Sequence, residues 1–379
     1  MGDTVGPPQI TDMQRSSRDP KQLRSRLEAW FAEMLPAGAS PTIPELDAAG
    51  SATGMSSETV LLTAAWTDGG HAREERLVAR VAPDPADVPV FPEYDLQRQF
   101  DVIRLVGELS SVPVPEVWWC DAAGTTTGVP LFVMERVDGL VPPDVMPYSF
   151  GDNWLFDATA EQQRTLQDSS VEVLAGLHGI ENAEERFSFL AHDDDEGDSP
   201  LGRRVSHTQA WYDYARDGHR SELIESGFRW LDEHWPDDEG PTVVAWGDSR
   251  IGNVMYRDFR PCAVLDWEMA ALGPRELDLA WMIYAHAVFE DLARIFELPG
   301  MPHFMRRDDV ASTYEALTGH TPRDLDFYMA YAAVQWGIVF VRTGLRAVHF
   351  GEEQMPTNVD DFIRNRESLE RMLEGTYWS

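Results

Sequence analysis

Residues 243–267 read VVAWGDSRIGNVMYRDFRPCAVLDW. The runs Val243-Val244-Ala245-Trp246, Val254-Met255-Tyr256 and Ala263-Val264-Leu265 are short and rich in β-formers, which predicts three strands. The loop between the first two holds Asp248, Arg250 and Asn253, and the third run ends on Asp266-Trp267. Asp and Asn favour turns on their own account. Three acceptor side chains at strand ends within one short hairpin suit a sharper purpose. They can hold magnesium and a hydroxyl nucleophile against a phosphate chain.

The rest of the chain sets bounds on that reading. Its 379 residues, 43% of them apolar, suffice for two packed lobes. A formal charge of −34 repels phosphate backbones and argues against a nucleic-acid partner. The same charge could attract cationic small molecules, or simply serve solubility. Cys120 and Cys262 each stand beside an apolar strand and read as buried free thiols of a reducing compartment. The opening MGDTVGPPQITD lacks the basic start and apolar core of a signal peptide, and no apolar stretch is long enough to cross a bilayer. A cytoplasmic protein with no membrane partner is expected.

In order, residues 1–20 read as a polar, mobile arm. Residues 21–35 form a helix with Leu23, Leu27, Trp30, Phe31 and Met34 on one face. A stretch of small residues leads to a strand at 58–66, a turn at Asp68-Gly69-Gly70 and a return strand at 76–82. Arg80 puts a cation in that apolar return, where it needs a ligand, a partner or a solvent-facing side. A helix at 93–109 and strands at 113–119 and 131–134 follow. Beyond a proline-, glycine- and aromatic-rich passage at 140–154, helices dominate: 159–178, 205–216, 221–234, 276–289, 309–317, 323–348 and 358–374. Thr321-Pro322-Arg323-Asp324 reads as a helix start with Thr321 as cap, and Gly319 as the stop of the helix before it. His178, His207, His286 and His349 read as structural hydrogen-bonders, and no spacing suggests zinc. Ser249 is not a hydrolase nucleophile, because Gly247-Asp248-Ser249-Arg250-Ile251-Gly252 has one residue too many before its second glycine.

Four spaced features occur together: Trp246-Gly247-Asp248, Asn253 five residues after that Asp, Leu265-Asp266-Trp267, and Gly273-Pro274-Arg275-Glu276-Leu277-Asp278-Leu279-Ala280. In this combination the chain resembles the aminoglycoside phosphotransferase family, also called choline kinase-like, of kinase-like small-molecule phosphotransferases. Asp-x-x-x-x-Asn, a strand and then Asp is also the catalytic-loop and metal-loop order of protein kinases. Trp-Gly-Asp with Asp-Trp-Glu is similar to the branch found beside acyl-CoA dehydrogenases.

The resemblance implies an α+β, bilobal, protein-kinase-like fold. After the arm at 1–20, an N-lobe at 21–137 would carry an antiparallel sheet with one helix and bind nucleotide. A mainly helical C-lobe at 138–379 would carry the catalytic and acceptor sites, with ATP and Mg2+ between the lobes. It implies that Asp248 orients the acceptor hydroxyl and takes its proton. Asn253 and Asp266 would bind Mg2+. Arg80 stands at the place of the family's phosphate-binding lysine, and Gly54, Met55, Ser56 and Ser57 at that of the phosphate-covering loop. Glu135 and Val137 would offer backbone groups to adenine behind Met134. Asp278 would brace the catalytic loop. Arg250 either contacts the transferring phosphate or braces the loop. Two features depart from the pattern: Arg80 replaces lysine with a planar fork, and Gln99 stands where a helix glutamate is expected, with Glu93 or Asp95 as alternatives. The implied activity is ATP-dependent phosphorylation of a small-molecule hydroxyl, with aminoglycoside and antibiotic resistance as one version. A kinase-like binding module with little turnover is the alternative.

Overall fold

The structure, a computed structural model, describes residues 19–47, 57–144, 147–191 and 196–378. The expected arm falls on residues 1–18, which lie outside the described residues, as do Gly54, Met55 and Ser56. The chain divides into two compact units. One comprises the residues up to Val90 together with Trp118–Arg136, and the other Phe91–Val117 with Val137 onward.

The first unit is a sheet covered by one helix. Helix α1 (Pro20–Met34) starts where Asp19 accepts the Lys21 N–H and Pro20 supplies a preset first turn. Strands β1 (Thr42–Asp47), β2 (Glu58–Asp68), β3 (His71–Val81), β4 (Val117–Asp121) and β5 (Leu131–Glu135) form a five-stranded sheet in the order β1-β2-β3-β5-β4. Asp68 pairs with His71, so Gly69 and Gly70, at φ +55° and +83°, make the two-residue hairpin turn that suits the strand twist. Leu23, Leu27, Trp30 and Phe31 of α1 meet Val60, Leu62, Ala64, Leu77, Ala79 and Val81 in one core. Strand β1 was not expected, because Pro44 argues against a strand. It is tolerated here at the sheet edge, beside a register shift between Thr42 and Glu45.

In the second unit helices surround two small ladders. The helices are α2 (Leu96–Leu109), α3 (Ala160–His178), α4 (Ala183–Arg186), α5 (Pro200–Ala215), α6 (Glu222–Glu233), α7 (Glu276–Ile295), α8 (Arg307–Thr318), α9 (Leu325–His349) and α10 (Arg366–Leu373). Thr159 and Gln162 close a full capping box at the start of α3. Helices α7 and α9 pack together and are apolar on most faces, which fits their interior position. The decisive stretch is not one hairpin. Strands β7 (Val254–Arg257) and β8 (Arg260–Val264) form an inner hairpin, while β6 (Val243–Ala245) pairs with β9 (Ala271–Gly273) beyond it.

Three further expectations change. Asp324, not Thr321, precedes α9; Asp324 lies at φ +50° without a side-chain cap, and Thr321 instead hydrogen-bonds Glu315. The region 358–374 splits into a short 3-10 turn at Val359–Phe362 and α10. Cys120 and Cys262 are free but half-buried rather than buried. Among the described residues no helix is long and apolar enough to cross a membrane.

Candidate active site

The catalytic-loop stretch leaves β6 through Gly247, at φ +89°. A Cβ there would strike the Met269 carbonyl, so both backbone angle and space demand glycine. The turn is held from below by Asp278, which is fully buried at the start of α7. Its Oδ2 accepts the Trp246 N–H at 2.7 Å and its Oδ1 the Gly247 N–H at 2.8 Å. Its carbonyl accepts the Ser249 hydroxyl at 2.7 Å. His178 Nε2 lies 3.1 Å from Oδ2 and His178 Nδ1 2.8 Å from the Tyr314 hydroxyl, so this histidine is structural. His286 is structural too, buried between the Tyr148 hydroxyl and the Met301 carbonyl.

Asp248 projects from that braced turn with its side chain 14% exposed. Trp281 Nε1 donates to Oδ1 at 2.7 Å, and Asn253 Nδ2 donates to Oδ2 at 2.7 Å and to the Asp248 carbonyl at 3.1 Å. Arg250 Nε reaches both carboxylate oxygens, at 3.0 and 3.1 Å. Arg250 also pairs with Asp144. Burial works against its charge, but Asp144, Asp248 and Asp266 outweigh that effect and raise its pKa.

Asn253 closes a 3-10 turn (Ile251–Asn253) and is 7% exposed. Its Nδ2 faces Asp248, and its Oδ1 makes no hydrogen bond among the described residues. The Leu265 N–H donates to the Asn253 carbonyl at 2.9 Å, which ties the loop to the chain entering Asp266. Trp246 Nε1 completes the tie, donating to the carbonyls of Leu265 at 3.0 Å and Asp266 at 3.1 Å. Asp266 is half-buried at φ +59°. Among the described residues no three His, Cys, Asp or Glu side chains form a metal cage. One carboxylate and one carboxamide oxygen fit a magnesium ion that completes its shell with phosphate and water.

The structure thus brings Asp248, Arg250 and Asn253 into direct contact, ties Asp266 to them, and sets Asp278 beneath. The remaining candidates are distributed over both units. Arg80 is half-buried on β3, opposite Thr59, whose hydroxyl accepts from Nη1 at 2.8 Å. Ser57 is 2% exposed just before β2, and its Oγ has no hydrogen-bond partner among the described residues. Met134 is buried and Glu135 exposed at the end of β5, while Val137 is half-buried beyond it. Gln99 is buried on α2.

Two residues at the site were missed. Asp144 follows two prolines in a loop with no spacing signal. Trp281 belongs to an apolar helix, where periodicity assigns a tryptophan to the core. It is 4% exposed and stacks on Trp336, with ring centroids 5.9 Å apart. Asp213, an acidic residue of α5, is a solvated helix charge, 68% exposed and paired with Arg216.

Comparison with known proteins adds the following. Residues 52–300 match the model of the phosphotransferase enzyme family. The "Probable acyl-CoA dehydrogenase IBR3" of Arabidopsis thaliana is 26% identical over 225 residues, 55% of this chain and 26% of that protein. The mouse "Acyl-CoA dehydrogenase family member 11" is 23% identical over 262 residues, 68% of this chain and 30% of that protein. The chain therefore spans less than a third of these relatives. A solved putative aminoglycoside phosphotransferase from Ralstonia eutropha is similar with a TM-score of 0.65 and 19% identity, covering 93% of this chain and 98% of its own. A ternary complex of aminoglycoside phosphotransferase APH(4)-Ia with AMP-PNP and hygromycin B gives a TM-score of 0.52 at 14% identity, covering 93% and 99%. The fold is the kinase-like one that the sequence motifs imply, and the relatives agree with the acyl-CoA dehydrogenase branch.

Proposed function

The chain belongs to the phosphotransferase enzyme family, and we propose that it moves the γ-phosphoryl group of ATP to a hydroxyl of a small molecule. One observation carries the reading. Asp248, a partly exposed carboxylate on a braced loop, lies 2.7 Å from the amide of Asn253, whose carboxamide oxygen points elsewhere. That is a proton acceptor beside a hard oxygen ligand.

In this reading the acceptor hydroxyl loses its proton to Asp248. Its oxygen forms a bond to the γ-phosphorus as the bond to the β,γ-bridging oxygen breaks, and ADP leaves with that electron pair. Asn253 and Asp266 would hold Mg2+, which neutralises charge on the β- and γ-phosphates when bound. Arg80, Gly54, Ser56 and Ser57 would meet the phosphates. Met134, Glu135 and Val137 would meet adenine. Asp278 would brace the loop, and Arg250 would contact the transferring phosphate or brace the loop. A charge of −34 supports a neutral or cationic acceptor and argues against nucleic acid. The relatives are named acyl-CoA dehydrogenases, and a hydroxyacyl thioester stands with aminoglycosides, amino alcohols and sugars among the acceptor classes to be tested.

Calorimetry with Mg-ATP, followed by 31P NMR across an acceptor panel, tests the proposal. Asp248→Asn should retain ATP binding and lose transfer by about 10²- to 10⁴-fold. Arg80 and Gln99 motivate a second reading, a nucleotide-binding module without turnover. Binding without transfer to any acceptor, and no effect of Asp248→Asn, would establish that reading instead.

A further inference from the structure

Asp248 is engaged by three N–H donors. Oδ1 accepts from Trp281, Oδ2 from Asn253, and the single Arg250 Nε–H is shared between the two oxygens. A carboxylate offers about four lone-pair directions, and the shared Arg250 bond covers the edge between the two oxygens, which an incoming hydroxyl would share with it. Trp281 is wedged in α7 against Trp336. Asn253 is buried, its N–H bonded to the Arg250 carbonyl at 3.0 Å and its carbonyl to Leu265 at 2.9 Å. Arg250 alone holds Asp248 from the end of a long side chain that already has a second seat.

That seat is Asp144. Its Oδ2 takes Arg250 Nη1, while its Oδ1 is buried with no hydrogen-bond partner among the described residues. Arg250 Nη2 makes no hydrogen bond among the described residues. A swing of the guanidinium off Asp248 would turn the single contact into two parallel bonds, the arrangement arginine and carboxylate favour, and would satisfy the orphan oxygen. Gly252 keeps the seat open, since a Cβ there would strike the Asp144 carboxylate. Burial raises the Asp144 pKa, and the Arg250 charge opposes that rise.

We propose that Asp144 is a positioning residue that draws Arg250 off Asp248 when magnesium nucleotide binds, opening the carboxylate to the acceptor hydroxyl. The driving force is electrostatic. Asp266 helps hold the guanidinium where it is, and a divalent cation at Asn253 and Asp266 cancels that attraction and repels Arg250. The inference rests on the phosphotransferase reading.

The test uses the full chain labelled with 15N-arginine, with Mg–AMP-PNP as probe. The Nε–H resonance of Arg250 is identified by its loss in Arg250→Lys. On adding the probe it should move in the wild type and stay in Asp144→Asn, which keeps the side-chain shape. Calorimetric affinity for the probe should fall about tenfold in Asp144→Asn, a coupling of ordinary size, in protein that still unfolds cooperatively. Gly252→Ala, which crowds the seat but keeps the charge, should reproduce the blocked resonance. A resonance unmoved in nucleotide-bound wild type, or moving equally in Asp144→Asn, would overturn the inference alone. Failure of the wild type to bind Mg–AMP-PNP would overturn the phosphotransferase reading with it.

Discussion

Replacing Asp278 by asparagine isolates the brace beneath the catalytic loop, because volume is kept while charge and one acceptor are removed. Asp278 accepts from Trp246 N–H and His178 Nε2 at one oxygen and from Gly247 N–H at the other. The new amide nitrogen must therefore face a donor. The cheaper choice puts it at the Oδ2 position, where His178 can change tautomer and accept, leaving the Trp246 N–H against another donor. A buried unsatisfied N–H costs about 1–3 kcal/mol. Loss of the ionic character of the Gly247 bond adds roughly 1 kcal/mol. The sum is about 2–4 kcal/mol, concentrated at one turn. Amide exchange of Trp246 and Gly247 should accelerate about 30- to 700-fold, at ~1.4 kcal/mol per factor of ten, and the urea midpoint should fall. Exchange at Trp246 within threefold of wild type would show that Asp278 does not hold the loop, and the brace would have to be sought in the β6/β9 ladder.

Two other perturbations test separate parts of the structure. Gly247→Ala forces an L-residue to φ +89° against the Met269 carbonyl; a loss above about 3 kcal/mol, read as a drop in chemical-denaturation midpoint, is expected. His286 is pushed down from 6.5 to about 4, first by burial and then by His303, against the Met301 carbonyl. A folded-state pKa below the unfolded one means the unfolded chain binds the extra proton, so stability rises with pH. Its contribution is complete above the unfolded value and is lost as pH falls from about 6.5 to about 4, by up to roughly 3 kcal/mol. Denaturation midpoints across that window should show this slope, and His286→Gln should flatten it.

Much of this molecule is legible in its sequence. Asp248, Asn253, Asp266 and Asp278 stand out in the sequence by residue type and spacing, and the structure bonds Asn253 to Asp248 and sets Asp278 beneath their loop. Helix α1 announces itself by apolar periodicity, and the capping box of α3 is seen only in the structure. Strand β1 escapes because proline is a poor strand former except at an edge, and edge position is not a local property. The start of α9 is misjudged because the Thr321 hydroxyl finds a distant acceptor, Glu315, instead of the backbone it could have capped. Asp144 and Trp281 escape for the same reason: their partners are 106 and 33 residues away.

The sequence by itself determined the chemistry, since which groups can carry a proton or bind a hard cation depends on side-chain type and short-range spacing along one backbone. Only the tertiary structure decided the state of those groups. It surrounds Asp248 with three donors, turns the Asn253 oxygen away from it, and gives Arg250 a second carboxylate across a glycine. Hydrogen bonding and Coulomb attraction act through space over a few ångströms, and chain separation carries no information about which residues folding brings that close.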